Sequence, residues 1–241
     1  MQYGIISIIA AVFLLGAAGI LFINRKKPGS EAGQKLWLKY RVYLVLVSAV
    51  VYCLLHTWLF TLLAVVIIGA GLLELIQHKK AFTGSGQSFL IPVILYSIAG
   101  AGFLYYACIK NNPGYLFVYM LVFCFDGFSQ ISGQLLGKHA LTPAISPNKT
   151  WEGVAGGFAC CIIIALCTGT WFSMNSGQTF RFCLLICGSA LGGDLMASKF
   201  KRMCRIKDYN QLIPGHGGIL DRFDSYIAAG SVYGWVSFFI S

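Results

Sequence analysis

Acidic residues are scarce in this chain of 241 residues, which has eight aspartates and glutamates against 18 lysines and arginines. Charged residues of both signs make up only 11% of the chain, less than half of the roughly 25% that is usual in soluble domains. So little charge cannot cover a soluble globule. The 57% of hydrophobic residues and the mean hydropathy of +0.74 exclude intrinsic disorder. The composition therefore predicts a protein that is embedded in a lipid bilayer.

Eight apolar runs approach or match the length of about 17–25 residues that an α-helix needs to cross a bilayer. These runs contain no cation, and they are continuously apolar, whereas the strands of a membrane β-barrel alternate in polarity. The sequence therefore predicts an all-α, polytopic integral membrane bundle of about eight transmembrane helices. The predicted spans are 3–24, 42–55, 58–76, 88–109, 114–132, 154–172, 182–197 and 225–240.

The basic residues predict how the bundle is oriented. With eight spans, sixteen of the 18 lysines and arginines fall in loops on one face, and only Lys110 and Arg181 fall on the other. Short loops rich in Lys and Arg stay in the cytoplasm, so we expect that face to be cytoplasmic and both termini to lie outside. The net charge of +10 is explained by this topology and does not require a nucleic-acid partner. The expected location is the cytoplasmic (inner) membrane of a bacterium.

The nine cysteines do not indicate a metal centre or a disulfide framework. Eight of them fall within the predicted spans, and none has the spacing of a zinc site. We therefore expect small, buried packing residues in the thiol form.

Charge is concentrated in residues 194–224, which hold ten of the chain's 26 charged side chains, four aspartates among them. The chain accordingly divides into an N-terminal, lipid-facing scaffold, residues 1–113, and a C-terminal catalytic part, residues 114–241, with motif loops at 134–153 and 198–224. Carboxylates mixed with cations are typical of a site that binds nucleotide phosphates and a divalent metal. A solvated loop with incidental ion pairs is the alternative.

Helical spacing brings several of these side chains together. Ser198 follows Asp194 at i+4 and Lys201 follows it at i+7, so all three lie on one helical face if that helix continues. Asp221 and Asp224 are three residues apart at the start of the last span, where acids also complement a helix dipole. Between these elements, three glycines within four residues can line an anion site or form a plain turn.

A second polar cluster is predicted on the same face. Asp126 lies inside the fifth span, where an ionisable residue usually indicates a functional site. The alternative is that Asp126 only makes a hydrogen bond between two helices. The loop that follows carries Lys149, a candidate phosphate contact. Thr150 and Glu152 also suit simple capping of the next helix. Glu74, near the end of the third span, we interpret as a snorkelling or ion-paired end residue.

The charged segment resembles a known signature. The stretch from Ser198 to Arg202, followed at fixed spacing by Lys207-Asp208 and by residues 212–224, is similar to that of the phosphatidate cytidylyltransferases, or CDP-diacylglycerol synthases. Gly193-Asp194-Leu195 and residues 146–153 resemble two further motifs of the family in the expected order. The motifs cover roughly residues 126–225.

The resemblance implies that CTP and phosphatidate react to give CDP-diacylglycerol and pyrophosphate at the cytoplasmic face, with one or two Mg²⁺ ions as cofactor. It implies a catalytic set and a metal-binding set that overlap, and a larger set that binds the substrates. The expected catalytic residues are Asp194, Lys201, Asp221 and Asp224, and the expected metal ligands are Asp194, Asp221, Asp224 and Asp126. The residues expected to bind the substrates are Lys149, Ser198, Arg202, Lys207, Gly215, His216, Gly217, Gly218 and Arg222.

Two alternatives stay open. One is a CTP-dependent enzyme that acts on a different lipid phosphate or on a polyprenol, because residues 126–134 depart from the family's pattern. The other is a non-catalytic membrane protein, either a transporter or a decayed paralogue that acts as a scaffold. Against a transporter, the polar residues gather at one face and not at mid-membrane depth. A homodimer is also compatible with the sequence.

Overall fold

The computed structural model describes residues 2–25, 31–109, 114–213 and 217–240. In this part of the chain eight α-helices form, one for each apolar run that the sequence predicts. A short 3-10 helix, His78–Ala81, follows α3, and another, Gly169–Phe172, follows α6. The helices are α1 (Gln2–Arg25), α2 (Glu31–Leu54), α3 (Thr57–Gln77), α4 (Gly86–Cys108), α5 (Gly114–Leu136), α6 (Trp151–Thr168), α7 (Ser176–Met203) and α8 (Leu220–Ile240).

The predicted number of spans is only partly confirmed. Among the described residues, six helices are long and apolar enough to cross a membrane, namely α2 to α7, and α1 contributes a shorter apolar helix, Gln2–Ala18. The chain is an integral membrane protein with six candidate spans. The eighth predicted span, α8, falls outside this set because its charged first turns and its glycine, serine and tyrosine residues make it less apolar, over a membrane-crossing length, than the six candidate spans.

One element is not helical. Residues Ala140–Thr142 (β1) and Ser146–Thr150 (β2) pair as an antiparallel hairpin between α5 and α6. The prediction of an all-α bundle holds for the apolar helices, but it overlooked this hairpin because polar loop residues carry no helical or transmembrane pattern. The hairpin lies within the predicted motif loop 134–153.

Helix α5 stands at the centre of the bundle. Its first twelve residues, from Gly114 to Phe125, are all buried, and exposure begins abruptly at Asp126. Aromatic rings from α3, α4, α5 and α8 pack around its N-terminal end, with Phe60, Tyr106 and Tyr115 in mutual contact. The N-terminal and C-terminal helices therefore share one core.

Small residues allow the closest helix contacts. Gly234 of α8 lies directly against Gly102 of α4, and a side chain at Gly234 would meet the backbone of α4. Gly156 and Gly157 of α6 likewise face Ser132 and Ser129 of α5. All nine cysteines lie in the described part of the chain and are free thiols, as the sequence predicts.

Candidate active site

A buried ion pair joins the end of α7 to the start of α8. The Lys201 ammonium donates to Asp221 Oδ1 at 2.7 Å, and the two side chains are only 11% and 1% exposed. The other carboxylate oxygen, Oδ2, accepts from the backbone amides of Tyr209 at 2.8 Å and Gly218 at 2.9 Å. Asp221 therefore holds α7, the connecting loop and α8 together. Because α7 runs without a break to Met203, Asp194, Ser198 and Lys201 share one helix as predicted.

Tyr209 covers this pair from the connecting loop. Its ring stacks on Phe200 with centroids 6.0 Å apart, and the Lys201 ammonium lies 5.4 Å from the centre of the Tyr209 ring. Burial, together with the nearby charges of Asp224 and Asp221, raises the pKa of the Tyr209 phenol well above its usual value. The phenol therefore stays neutral, and its ring adds a cation–π contact to the charge pairing of Lys201.

Glu74 does not have the role that the sequence suggested. It is 4% exposed, and its carboxylate leaves α3 to accept from the backbone amides of Ile219 at 2.9 Å and Leu220 at 2.8 Å. Glu74 thus caps the N-terminus of α8 from a helix that is 145 residues away in sequence. The interpretation as a snorkelling or ion-paired end residue is wrong. The signal available was an acid inside an apolar helix, which needs a polar partner.

The amides at the end of the glycine loop are paired with carboxylates. Gly217 has a φ of +82°, a conformation that side chains disfavour. The amide of Gly218 donates to Asp221, and the next two amides donate to Glu74. Of the three glycine amides that the sequence offered to a substrate anion, that of Gly218 is engaged with a carboxylate. Gly215 and His216 lie outside the described residues, and substrate binding by the loop stays a prediction.

Three further carboxylates are less deeply buried than that of Asp221. Asp126 of α5 is exposed, and Asp224 of α8 and Asp194 of α7 are partly exposed. Asp126 and Asp224 lie within electrostatic range of each other. Lys149 and Arg222 lie within range of both of these carboxylates. The cluster predicted around Asp126 and the one predicted on residues 194–224 therefore form a single site.

Lys149 reaches this site from the hairpin. It forms an ion pair with Asp194, and the two side chains are 29% and 22% exposed. Burial lowers the pKa of the Lys149 ammonium below its usual value, and the charges of Asp126 and Asp224 partly offset that effect. The one cation of strand β2 is thus held among three carboxylates, and its contact with a phosphate stays a prediction.

The remaining predicted substrate contacts differ in how firmly they are held. Arg202 donates to the carbonyl groups of Ile145 at 3.0 Å and Ile206 at 3.2 Å, so it braces the hairpin turn against the end of α7. Ser198 is half-buried, one turn beyond Asp194, whereas Lys207 and Arg222 are exposed. Arg222 therefore has the freest guanidinium near the carboxylates, and Arg202 has a structural task as well.

The hairpin itself is fixed to α6. The Thr150 hydroxyl accepts from the Gly153 amide at 3.1 Å and caps the helix. Glu152 bridges back to β1, accepting from the backbone amides of Lys138 and His139 and pairing with the His139 ring at 2.6 Å. The capping interpretation is confirmed for Thr150, whereas the Glu152 carboxylate binds the residues just before β1. Both contacts fix the hairpin that carries Lys149.

Comparison with known proteins decides the family. A model of the cytidylyltransferase family matches residues 1–239. The chain belongs to this family. The chain is also similar to proteins named phosphatidate cytidylyltransferase: one from Staphylococcus saprophyticus is 40% identical over 156 residues, one from Staphylococcus haemolyticus 37% over 156, and one from Staphylococcus aureus 35% over 154. Each alignment covers 63% of this chain and 59% of the relative.

A member of the cytidylyltransferase family is expected to use a divalent metal, so the carboxylates have to be tested against that requirement. No three His, Cys, Asp or Glu side chains among the residues described converge into a metal-binding group. Mg²⁺ is often held by only one or two carboxylates, with waters and substrate phosphates completing its shell. Asp126 and Asp224 fit this donor set, since two accessible carboxylates approach each other. In Asp221 both oxygens are already engaged, and its role as a metal ligand stays a prediction.

Proposed function

We propose that this member of the cytidylyltransferase family is a phosphatidate cytidylyltransferase that converts CTP and phosphatidate to CDP-diacylglycerol and pyrophosphate. The observation that carries the proposal is the single site in which Asp126, Asp224 and Asp194 meet Lys149 and Arg222. Both substrates are anions, so a site that joins them needs cations for the phosphates and carboxylates for a metal. The names of the staphylococcal relatives support the same reaction.

The chemistry places modest demands on the protein. A phosphate oxygen of phosphatidate attacks the α-phosphorus of CTP, the bond from that phosphorus to the bridging oxygen of the β-phosphate breaks, and pyrophosphate leaves. A phosphomonoester is largely dianionic near neutral pH because its second pKa is about 6, so no strong general base is required. Catalysis then depends on positioning and on electrostatic stabilisation, as in phosphoryl transfer generally.

Each group of residues has a proposed part in this reaction. Asp126 and Asp224 would hold Mg²⁺. Asp194 would become a third ligand when Lys149 leaves it to bind a phosphate, and these three carboxylates could hold one or two ions. The bound metal supplies charge neutralisation at the phosphates. Arg222 and Lys149 would bind phosphates directly, with Lys207 at the rim. Lys201 and Asp221 would hold the loop and α8 in register, so that residues 215–218 and Ser198 shape the nucleotide site.

The proposed orientation follows from the basic residues. The site lies where α5 and α7 end and α8 begins, and the lysines and arginines of residues 199–222 surround it. Short basic loops stay in the cytoplasm, so CTP would enter from the cytoplasm of a bacterium and the lipid would enter from the inner leaflet. The two termini would lie outside, and α1 and α8 would complete eight spans.

The test is a product assay with the full chain in lipid nanodiscs, with labelled CTP and Mg²⁺, across a panel of lipid phosphates and polyprenols. We expect CDP-diacylglycerol from phosphatidate, abolished by Asp224→Asn and retained by Asp208→Asn, a matched change at an exposed acid. A CDP-linked product formed only from another lipid phosphate would show that phosphatidate is not the substrate. A phosphorylated alcohol would indicate a kinase, and no turnover would refute an enzymatic role.

A further inference from the structure

The cytoplasmic end of α3, with the short helix after it, contacts both elements that carry the site. Glu74 accepts from the amides of Ile219 and Leu220 at the start of α8. Nine residues later, the backbone amide and the hydroxyl of Thr83 donate to the carbonyl of Met203, the last residue of α7, at 3.0 Å and 2.8 Å. The N-terminal part of the chain therefore fixes the ends of both α7 and α8.

Glu74 is built for this position. It is almost fully buried inside an apolar helix, and both of its oxygens are used on consecutive amides that have no partner within α8. A Cβ added at Gly218 would lie 2.5 Å from Glu74 Oε1, so the glycine is needed for the carboxylate to reach the helix. A negative charge at this place also complements the dipole of α8.

The position of α8 decides how its carboxylate meets that of α5. Asp224 lies one helical turn after Leu220, so a shift of the first turn moves Asp224 relative to Asp126. The two carboxylates repel each other when both are charged, and Lys149 and Arg222 offset this repulsion only in part if a metal has to bind there. Glu74 ties the start of α8 to α3 and so restricts any shift of that first turn.

We infer that Glu74 is a positioning residue for the site: its two hydrogen bonds to the start of α8 set the separation of Asp126 and Asp224 and thereby the affinity for a divalent cation. The inference rests on the proposed function for its consequence in catalysis. It assigns part of the site to the N-terminal helices, which the sequence suggested were a lipid-facing scaffold.

The test measures metal binding directly, with the full chain purified in nanodiscs and Mn²⁺ followed by electron paramagnetic resonance. Glu74→Gln should raise the dissociation constant for Mn²⁺ by about tenfold, the effect of losing one hydrogen bond to a charged group. Glu74→Asp keeps the charge but is one methylene shorter, so it should also weaken binding. Thr61→Val is the matched control, because it removes a 2.8 Å hydrogen bond between α3 and the carbonyl of Ala107, far from the site.

Hydrogen exchange of the same samples reports whether the amides of residues 219 and 220 are released in Glu74→Gln. Faster exchange together with unchanged Mn²⁺ affinity would overturn the inference, because Glu74 would then be a helix cap alone. Weakened binding in Glu74→Gln but not in Glu74→Asp would also overturn it, in favour of a long-range charge effect. A wild-type chain that binds no Mn²⁺ refutes the inference, whereas the product assay with CTP judges the proposed function separately.

Discussion

The change Asp221→Asn tests whether the buried pair between α7 and α8 organises the site. In the native chain the Asp221 carboxylate accepts three donors, namely the Lys201 ammonium and the amides of Tyr209 and Gly218. An asparagine has one acceptor oxygen, and its NH₂ group would face a donor. The substitution therefore leaves the Lys201 charge uncompensated in a place that is nearly closed to water.

The magnitude follows from the burial of the pair. Removing one partner of a buried ion pair costs about 3–5 kcal/mol, because the other charge remains desolvated. The side chains are 1% and 11% exposed, so solvent screening does not reduce this figure. For a chain of this size, such a loss corresponds to a melting temperature lower by about 6–20 °C. We expect the same variant to lose product formation, since the loop and α8 depend on the carboxylate.

The assay combines thermal unfolding of the purified protein, followed by size-exclusion fluorescence, with product formation from labelled CTP. Asp208→Asn is the matched control, since it makes the same chemical change at an exposed acid in the same loop. The double variant Lys201→Met with Asp221→Asn removes both charges, and should regain about 1–3 kcal/mol relative to the sum of the single changes. The double variant should nevertheless stay inactive, because neither side chain is restored.

An unchanged melting temperature in Asp221→Asn would refute the structural role, because the pair would then contribute nothing to the folded state. Equal losses in Asp221→Asn and Asp208→Asn would show a general effect of net charge. A stable Asp221→Asn protein with lost turnover and weakened Mn²⁺ binding would instead favour the direct metal-ligand role that the sequence suggests.

Three further predictions concern the hairpin, the loop and the topology. Because burial lowers the pKa of Lys149, its ammonium loses its proton at a lower pH than that of an exposed lysine, so turnover should fall as the pH rises into the alkaline range. Lys149→Arg keeps its charge and should move this alkaline limb of the pH–rate profile to higher pH. Gly217→Ala should destabilise the protein by about 1–2 kcal/mol, because of the positive φ and the carboxylate of Asp221 beside the new methyl group, and Gly188→Ala, in open space on α7, is the control. Alkaline phosphatase fused to the C-terminus should be active if eight helices span the membrane, and an inactive fusion that still makes stable protein would contradict the predicted exit of α8.

The helices were predictable because their driving force is visible residue by residue. A run of about 20 apolar residues can satisfy its backbone in a bilayer only as a helix, so each run yields one element. The ends were less predictable. Helix α2 begins at Glu31, eleven residues before the predicted span at 42, because a helix continues into polar sequence where no lipid is needed. The hairpin escaped prediction since its residues carry no alternating apolar pattern.

For the site, spacing within one helix was informative and contacts between helices were not. The i+4 and i+7 relations of Asp194 with Ser198 and Lys201 hold because α7 continues. The partner of Asp221 was not predictable, since Lys201 reaches it only through the packing of α7 on α8. Glu74 is the clearest omission: its acceptor role depends on amides 145 residues away, and no local pattern encodes such a distance.

The scarcity of acids, which first indicated a membrane protein, is resolved by where they lie. Glu74 and Asp221 accept hydrogen bonds from the backbone amides of residues 218–220, and Glu152 ties the hairpin to α6. Asp126 and Asp224 remain accessible with cations around them. In an apolar bundle each carboxylate needs compensation, so acids are kept where they bind something. The compensated acids hold the elements in place, and the accessible pair is the place where a divalent cation would restore the balance of charge.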